Sequence, residues 1–313
     1  MTGQFPTKTI AVTGAGGFIG SHIVARLRSE GHEVRSIFGP ADQISHILKG
    51  DCVCDIHDRK TLTSVVDGCD TIVHLAGPPS VAMSFSKPSL SATIHAGGTA
   101  VLTEVAAEAN VERFVYCSSA EVYGQAANNP VTETDSPNPV SPYGASKAAA
   151  EWIVRASAIS NQHEAVILRP FTVYGPGLAS RSLLGLIIDQ ASNNAAVELM
   201  NLAPIRDYVY IDDVVDAFVR ACGVELTQRV NICNIGTGQG SSVRQLAETV
   251  VRVLGRNIPV LETGQRDRPQ ELDIHELVAN LSASTEVLGW TPQTSLEAGI
   301  RKFSLPRKQE AAA

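Results

Sequence analysis

Apolar residues in the first half of this chain come in short continuous runs, each followed by a longer segment with one polar and one apolar face. The runs "KTIAV" (8–12), "EVRSIF" (33–38), "DCVC" (51–54), "TIVHLA" (71–76), "RFVYCS" (113–118) and "EAVILR" (164–169) have strand length. Between them, 18–30, 58–67, roughly 90–110 and 142–161 carry helical patterns. Continuous apolar strands interleaved with helices predict a parallel sheet covered on both faces, a Rossmann-like doubly wound α/β fold. Beyond residue 170 the pattern is mixed: helix 181–193, strands near 197–200 and 207–210, helix 212–223, strand 229–235 and helix 241–255. Ligands of such sheets bind beyond the carboxyl ends of the strands.

The first strand runs into "TGAGGFIGSH", which sets Gly14, Gly17 and Gly20 across a strand-to-helix turn. Gly14 permits a tight turn, Gly17 lets backbone approach a pyrophosphate, and Gly20 lets the helix pack on the sheet. The helix start adds N–H groups and a positive dipole end. A glycine-rich turn can be an ordinary connection; its place between the first strand and an amphipathic helix makes it a dinucleotide site. The acid that usually ends the second strand is displaced: Phe38 stands at the expected place and Asp42 comes four residues later. Arg35 reads either as a 2′-phosphate ligand or as a solvated strand residue, so NAD and NADP both remain open. Asp55 and Ile56, in "CDIHD", stand where adenine would lie. Ala76 and Gly77, in "HLAGPPS", form a rim small enough for a cofactor to rest against.

The stretch "FVYCSSAEVYG" (114–124) begins as a core strand and turns polar at Ser118, Ser119 and Glu121, where charge is costly unless it is used. In "SPYGASKAAAEWIV", Ser141 is placed as an N-cap and Pro142 as a first-turn residue. Tyr143 and Lys147 are four apart and share a helical face. A phenol titrates near ~10, too high for a base at neutral pH. A nearby ammonium and a positive nicotinamide ring would lower that value. Ser119 could then bind the hydroxyl whose proton Tyr143 removes. Tyr-x-x-x-Lys alone is common as a surface pair; the glycine turn upstream and a serine 24 residues before the tyrosine favour a catalytic set.

Composition narrows the partners. The 313 residues are 44% hydrophobic and 18% charged, as in soluble globular proteins. A net charge of −7 leaves no basic footprint for nucleic acid. No apolar run approaches the ~18 residues of a membrane span, and the N-terminus lacks signal-peptide regions. A cytoplasmic protein is the reading. Six cysteines (52, 54, 69, 117, 222, 233) complete no zinc pattern and read as reduced structural thiols. None of the eight histidines has a partner at metal spacing, so no metal is expected, and His74 reads as a packed strand residue. Asp207, Asp212 and Asp213 read as organisers of turns and a helix start.

The segments "TGAGGFIGSH", "DTIVHLAG", "HAGGTAVLTEVAAEANVERFVYCSSAEVYG", "SPYGASKAAAE", "LRPFTVYGPG", "IRDYVYIDDVVDAF", "NIGTGQGSSV" and "STEVLGWTPQTSLEAGI" follow one another from Ile10 to about Phe303. On these the chain resembles an extended short-chain dehydrogenase/reductase of the NAD-dependent sugar-nucleotide epimerase/dehydratase family. The resemblance implies catalytic Ser119, Tyr143 and Lys147 and a tightly held NAD, with NADP not excluded. It implies cofactor contacts from Gly14, Gly17, Phe18, Ile19, Asp55, Ile56, Leu75, Ala76, Gly77 and Pro170, with Tyr143 and Lys147. For a nucleotide-sugar substrate it implies Thr172, Arg206 and Arg268, forked guanidinium groups being suited to diphosphate. Residues 1–170 are then the NAD(P)-binding domain carrying the catalytic set. Residues 171–313 form a smaller, mainly substrate-binding α/β region, some of whose chain returns to the sheet. Helices 90–110 and 142–161 would pair two copies into a homodimer. Thr172 and His95 stand where this family usually has asparagine, and "LMNLAPIR" is shorter than its usual glycine-rich loop.

Glu121 refines the expected chemistry. Simple 4-epimerases of the resembled family carry a small residue there, whereas its dehydratases and uronate decarboxylases often carry glutamate. The expected activity is transient oxidation at sugar C4 to a 4-keto intermediate, with Glu121 hinting at further acid/base chemistry at C5. Other readings are that Glu121 faces solvent or caps the loop "GQAANN", that the enzyme is a net NAD(P)H-dependent 4-ketoreductase, or that the protein senses dinucleotide without catalysis.

Overall fold

The computed structural model describes residues 6–42, 44, 47–264 and 273–310. In chain order the first half holds β1 (Thr9–Thr13), α1 (Phe18–Ser29), β2 (Glu33–Phe38), β3 (Cys52–Val53), α2 (Arg59–Val66), β4 (Thr71–His74), α3 (Val81–Ser86), α4 (Pro88–Ala92), a π turn (Thr93–Gly97), α5 (Gly98–Glu108), β5 (Arg113–Cys117), a 3₁₀ turn (Ala120–Tyr123), α6 (Pro142–Asn161) and β6 (Glu164–Pro170). The second half adds β7 (Thr172–Tyr174), α7 (Leu183–Asn193), β8 (Val197–Leu199), β9 (Ile205–Tyr210), α8 (Ile211–Gly223), β10 (Val230–Ile235), β11 (Gly240–Ser242), α9 (Val243–Val253), β12 (Val260–Glu262), β13 (Glu276–Leu277), α10 (Ser282–Leu288) and α11 (Leu296–Glu310).

Seven strands form one sheet in the order β10-β6-β5-β4-β1-β2-β3, every neighbouring pair parallel. The continuous apolar runs have the reason expected of them: both faces are covered. Ile10, Val12, Val115, Val166 and Leu168 join the layer that includes α1 and α8, while Ala11, Ile72, Phe114, Tyr116 and Ile167 join the layer of α2, α5 and α6. Strand order runs outward from β1 in both directions, so a crevice opens between β1 and β4 at the switch of direction. The register aligns Thr13 with His74, His74 with Tyr116, and Cys117 with Leu168, so the residues that follow all four strands share one edge.

The second half returns one strand, β10, to this sheet and builds a small sheet around β9, which pairs with β7, β11 and β13. Asp207 and Asp213 hold turns, as expected of them. Asp207 accepts from the backbone of Thr237 at 2.7 Å and Gly238 at 2.9 Å, and Asp213 accepts from that of Gln293 at 3.1 Å and Thr294 at 2.9 Å. Trp290 is fully buried and donates its indole N–H to the Asp213 carbonyl at 2.9 Å. All six cysteines are free thiols. Among the described residues no helix is long and apolar enough to cross a membrane.

Two expectations change. The helix expected over 90–110 is interrupted by the π turn, one extra residue per turn that periodicity does not register. The fourth strand ends at His74, two residues early, because the N–H groups of Leu75 and Ala76 turn toward the Thr13 hydroxyl at 3.2 Å each.

Burial sets a pH limit on this fold. Desolvation lowers His32, His74, His95 and His163 below the ordinary imidazole range. The unfolded chain therefore takes up protons first, and the stability held above the unfolded value of ~6.5 is lost progressively as pH falls through it. His163 is buried, lies against Phe114, and among the described residues neither of its ring nitrogens is hydrogen-bonded. Urea denaturation at pH 7.5 and 5.5 should show the wild type losing more stability on acidification than His163→Phe; equal losses would mean that His163 does not contribute.

Candidate active site

The polar residues at the end of β5 meet the start of α6 through a glycine. Ser141 Oγ caps α6 by accepting from Gly144 N at 3.0 Å, and Pro142 fills the first turn. A Cβ on Gly144 would lie 2.5 Å from the Glu121 carbonyl oxygen, so only glycine lets α6 press against the 3₁₀ turn. This approach brings Tyr143 close enough to Ser119 and Glu121 for both to act on its titration. Ser119 Oγ also accepts from Glu121 N at 3.2 Å. Lys147, one turn along α6, is buried and donates from Nζ to the Cys117 carbonyl at 2.8 Å, its ammonium 5.9 Å from the centre of the Tyr143 ring. The four residues expected to form the set are together.

Burial dominates their electrostatics in the protein without a ligand. Burial, followed by Cys117, drives the Tyr143 phenol well above its ordinary value; the nearby Ser119 hydroxyl opposes this and Glu121 adds to it. Burial lowers the Lys147 ammonium. Desolvation outweighs the opposing effect of Ser119, so the phenol of the protein by itself carries its proton.

The glycine turn lies across the crevice. Gly14 has φ +67° and packs so closely on the rim that a Cβ would lie 2.9 Å from Ala76 N and from the Leu75 carbonyl carbon. Gly17 is the N-cap of α1 and supplies no side-chain cap, so the first N–H groups of that helix face outward for an anion. A Cβ on Gly20 would lie 2.1 Å from the Gly14 carbonyl oxygen. Phe18 and Ile19 are half-buried at the start of α1, and Pro170 is buried as the last residue of β6. Ile56 is buried against Gly98, while Asp55 is exposed and pairs with His57 at 2.8 Å. Gly77, at φ +134°, lies under the His95 ring.

The displaced acid comes back in space. Asp42 accepts from Gly39 N at 2.8 Å, and a Cβ on Gly16 would lie 2.7 Å from its Oδ2, so its carboxylate abuts the glycine turn. Arg35 is used elsewhere, donating to the Val65 and Asp67 carbonyls at 2.8 and 2.6 Å. It is neither a solvated strand residue nor placed as a phosphate ligand.

Of the substrate residues, Thr172 is exposed on β7, and Arg206 is half-buried on β9 with Nη1 donating to the Ile205 carbonyl at 2.9 Å. Arg268 lies outside the described residues. Arg206 lines a cavity of about 540 Å³ with Phe85, Leu186, Met200, Tyr208 and Ile274. The cavity also reaches Ala82 of α3, a helix that packs on α6.

Behind the set is a buried ionic network that sequence spacing does not disclose. Glu151, on α6 one turn beyond Lys147, takes Arg169 Nε at 2.9 Å and Nη2 at 2.6 Å, and accepts from Ser118 Oγ. Arg169 Nη1 donates to the Tyr123 hydroxyl at 2.8 Å, which donates to Asn234 Oδ1 at 2.7 Å. One network thus ties α6, the ends of β5, β6 and β10, and the 3₁₀ turn.

Comparison with known proteins places this geometry. The NAD dependent epimerase/dehydratase family model matches residues 10–236. A UDP-glucose 4-epimerase of Mycolicibacterium smegmatis is 33% identical over 307 residues, covering 93% of this chain and 96% of the relative. A dTDP-D-glucose 4,6-dehydratase of Mus musculus is 29% identical, covering 94% of this chain and 87% of the relative. Among solved structures, MoeE5 in complex with UDP-glucuronic acid and NAD superposes with a TM-score of 0.87 at 29% identity, covering 96% of this chain and 99% of that one.

The Glu151–Arg169 pair can be separated from the chemistry. Glu151→Gln or Arg169→Met alone leaves a buried charge unpaired and should cost about 3–5 kcal/mol in chemical denaturation. The double variant Glu151→Leu/Arg169→Met should regain most of that stability without regaining turnover, because Ser118 and Tyr123 lose their anchors. A double variant that recovers both would show that the network does not position the set.

Proposed function

The chain belongs to the NAD dependent epimerase/dehydratase family, and we propose that it acts on a nucleotide-activated sugar by transient oxidation at C4. The observation that carries this reading is the convergence of Ser119, Tyr143, Lys147 and Glu121 at the sheet edge, joined to the glycine turn through the Leu75–Gly77 rim and His95. The groove suits a dinucleotide: backbone at Gly14 and Gly20 leaves no room for side chains, and the uncapped start of α1 offers N–H groups to a pyrophosphate. NAD, when bound, supplies a hydride acceptor for C4 and a positive ring that opposes the effect of burial on the phenol.

The chain's own residues do the rest. Tyr143 takes the proton of the C4 hydroxyl and returns it to the ketone oxygen, with Ser119 hydrogen-bonded to the same oxygen. Lys147, anchored on the Cys117 carbonyl, places positive charge beside the phenol. Gly77, Ala76 and Leu75 form the wall of the cofactor groove, and Asp55 and Ile56 its adenine end. Asp42 takes the adenosine ribose hydroxyls in place of the missing acid at Phe38 and repels a 2′-phosphate, favouring NAD. Glu121, within range of the phenol, serves as an acid/base group at C5 of the keto intermediate, which draws the chemistry toward the dehydratase side of the family. Arg206, with Arg268, holds the diphosphate, Thr172 contacts the same substrate, and residues 171–313 act mainly in its recognition. The substrates named for the relatives make a uridine or thymidine diphosphate sugar the first choice. Trp152 and Ile159 expose more than half of their surface on α6, an apolar face suited to pairing with a second copy in a cytoplasmic homodimer.

Two measurements test this. Purified protein given UDP- or dTDP-glucose without added cofactor should turn over, Tyr143→Phe should lower kcat by about 10²-fold or more, and Glu121→Gln should stall the reaction at the keto stage. Strict dependence on added NADPH would indicate a net reductase instead. Calorimetric titration of protein stripped of co-purified cofactor should show Asp42→Ala weakening NAD roughly tenfold and narrowing its preference over NADP; an unchanged NAD/NADP ratio would remove Asp42 from the ribose site.

A further inference from the structure

His95 is buried in the π turn between α4 and α5, only 1% exposed. Its ring stands edge-on to Tyr143, 5.3 Å between centroids with the planes at 85°. It also presses on the rim: a Cβ on Gly77 would lie 2.2 Å from His95 Cε1 and 2.4 Å from Nδ1. Nε2 donates to the Pro78 carbonyl at 3.2 Å, which puts the proton on Nε2 and the lone pair on Nδ1. Among the described residues, Nδ1 has no hydrogen-bonding partner.

The ring is not free to find one. Thr99 Oγ1 donates to the His95 carbonyl and accepts from His74 Nε2 at 2.9 Å, while His74 Nδ1 accepts from Thr13 Oγ1 at 2.7 Å. This chain of bonds pins the π turn to the ends of β1 and β4. Gly77 and Tyr143 close on the ring from two sides. A bare buried acceptor is unfavourable, and such atoms in native proteins call for a partner. An amide-bearing side chain at this place could turn either its N–H₂ or its C=O to a ligand. The pinned imidazole offers a lone pair only, so it selects a donor and repels phosphate or carbonyl oxygen.

We propose that His95 Nδ1 accepts a hydrogen bond from a hydroxyl of the ligand seated between Gly77, Tyr143 and Lys147, making His95 a binding residue of the active site. The proposal rests on the site reading given above. Burial, and after it the Lys147 charge, lower the imidazole to about 3, so the lone pair stays available at every working pH. The hydroxyl has two sources, a ribose of the cofactor or the sugar of the substrate, and the same variants tell them apart.

His95→Phe keeps an aromatic edge against Tyr143 and removes the acceptor; His95→Leu does so in a smaller volume should Phe not fold; His95→Asn returns an acceptor. NAD is titrated calorimetrically into each protein after any co-purified cofactor has been stripped, and KM and kcat for UDP-glucose are measured at saturating NAD. Phe or Leu is expected to raise either the NAD Kd or the UDP-glucose KM roughly tenfold, with kcat moving less and the melting temperature preserved, and Asn is expected to recover most of the loss. A change in the NAD arm assigns the hydroxyl to the cofactor; a change in KM alone assigns it to the sugar. If wild type and Phe or Leu variants match in both arms, the proposal is overturned. A wild type that neither binds NAD nor processes a sugar nucleotide overturns the site reading itself, and this inference with it.

Discussion

The buried pairing of Glu151 with Arg169 is the constraint on which the site depends. Arg169 lies at the end of β6 and Glu151 in the middle of α6, both about as buried as the apolar core around them. Neither charge can be left alone in such surroundings, so strand and helix have one permitted relation. Ser118 and Tyr123, held by the same two side chains, carry that relation to the neighbours of Ser119 and Glu121. Gly144 then closes the remaining gap against the Glu121 carbonyl. The helix that bears Tyr143 and Lys147 is positioned by ionic geometry behind it and by a missing methyl group in front.

That positioning is achieved in dry surroundings, and the dryness sets the chemistry. Burial raises the phenol of Tyr143 and lowers both the ammonium of Lys147 and the imidazole of His95, so each charge-bearing form is disfavoured in the protein alone. A proton-transfer set of this kind is ready rather than active: it responds to charge brought in with a ligand. The rim serves the same end. Thr13, His74 and Thr99 form one directed row of hydrogen bonds beneath the crevice, so the backbone that a ligand touches cannot relax when it binds.

Much of this was legible along the chain, and for identifiable reasons. A parallel sheet covered on both faces must be written as unbroken apolar runs, and six of the seven strands of the main sheet were read within one or two residues in the first half alone. Gly14 and Gly20 announce themselves because backbone contact excludes every other residue. Tyr143 and Lys147 follow from helical spacing. What escaped notice is what spacing does not encode. The π turn shifts the helical phase by one residue, Asp42 reaches the glycine turn only because its loop folds back, and Arg35 finds carbonyls thirty and more residues away. His95 was read as a departure from a pattern, with no hint of its ring against Tyr143.

The sequence by itself determined the covalent and local facts: which residues form strands and helices, where the chain must be glycine, and which acids, bases and hydroxyls are available at the strand ends. Only the tertiary structure decided which of them meet and in what state of charge. The order of strands, the fold-back of Asp42 and the Glu151–Arg169 network are long-range contacts. The protonation of Tyr143, Lys147 and His95 follows from how completely those contacts exclude water, a quantity that belongs to the packed molecule and not to any one stretch of its chain.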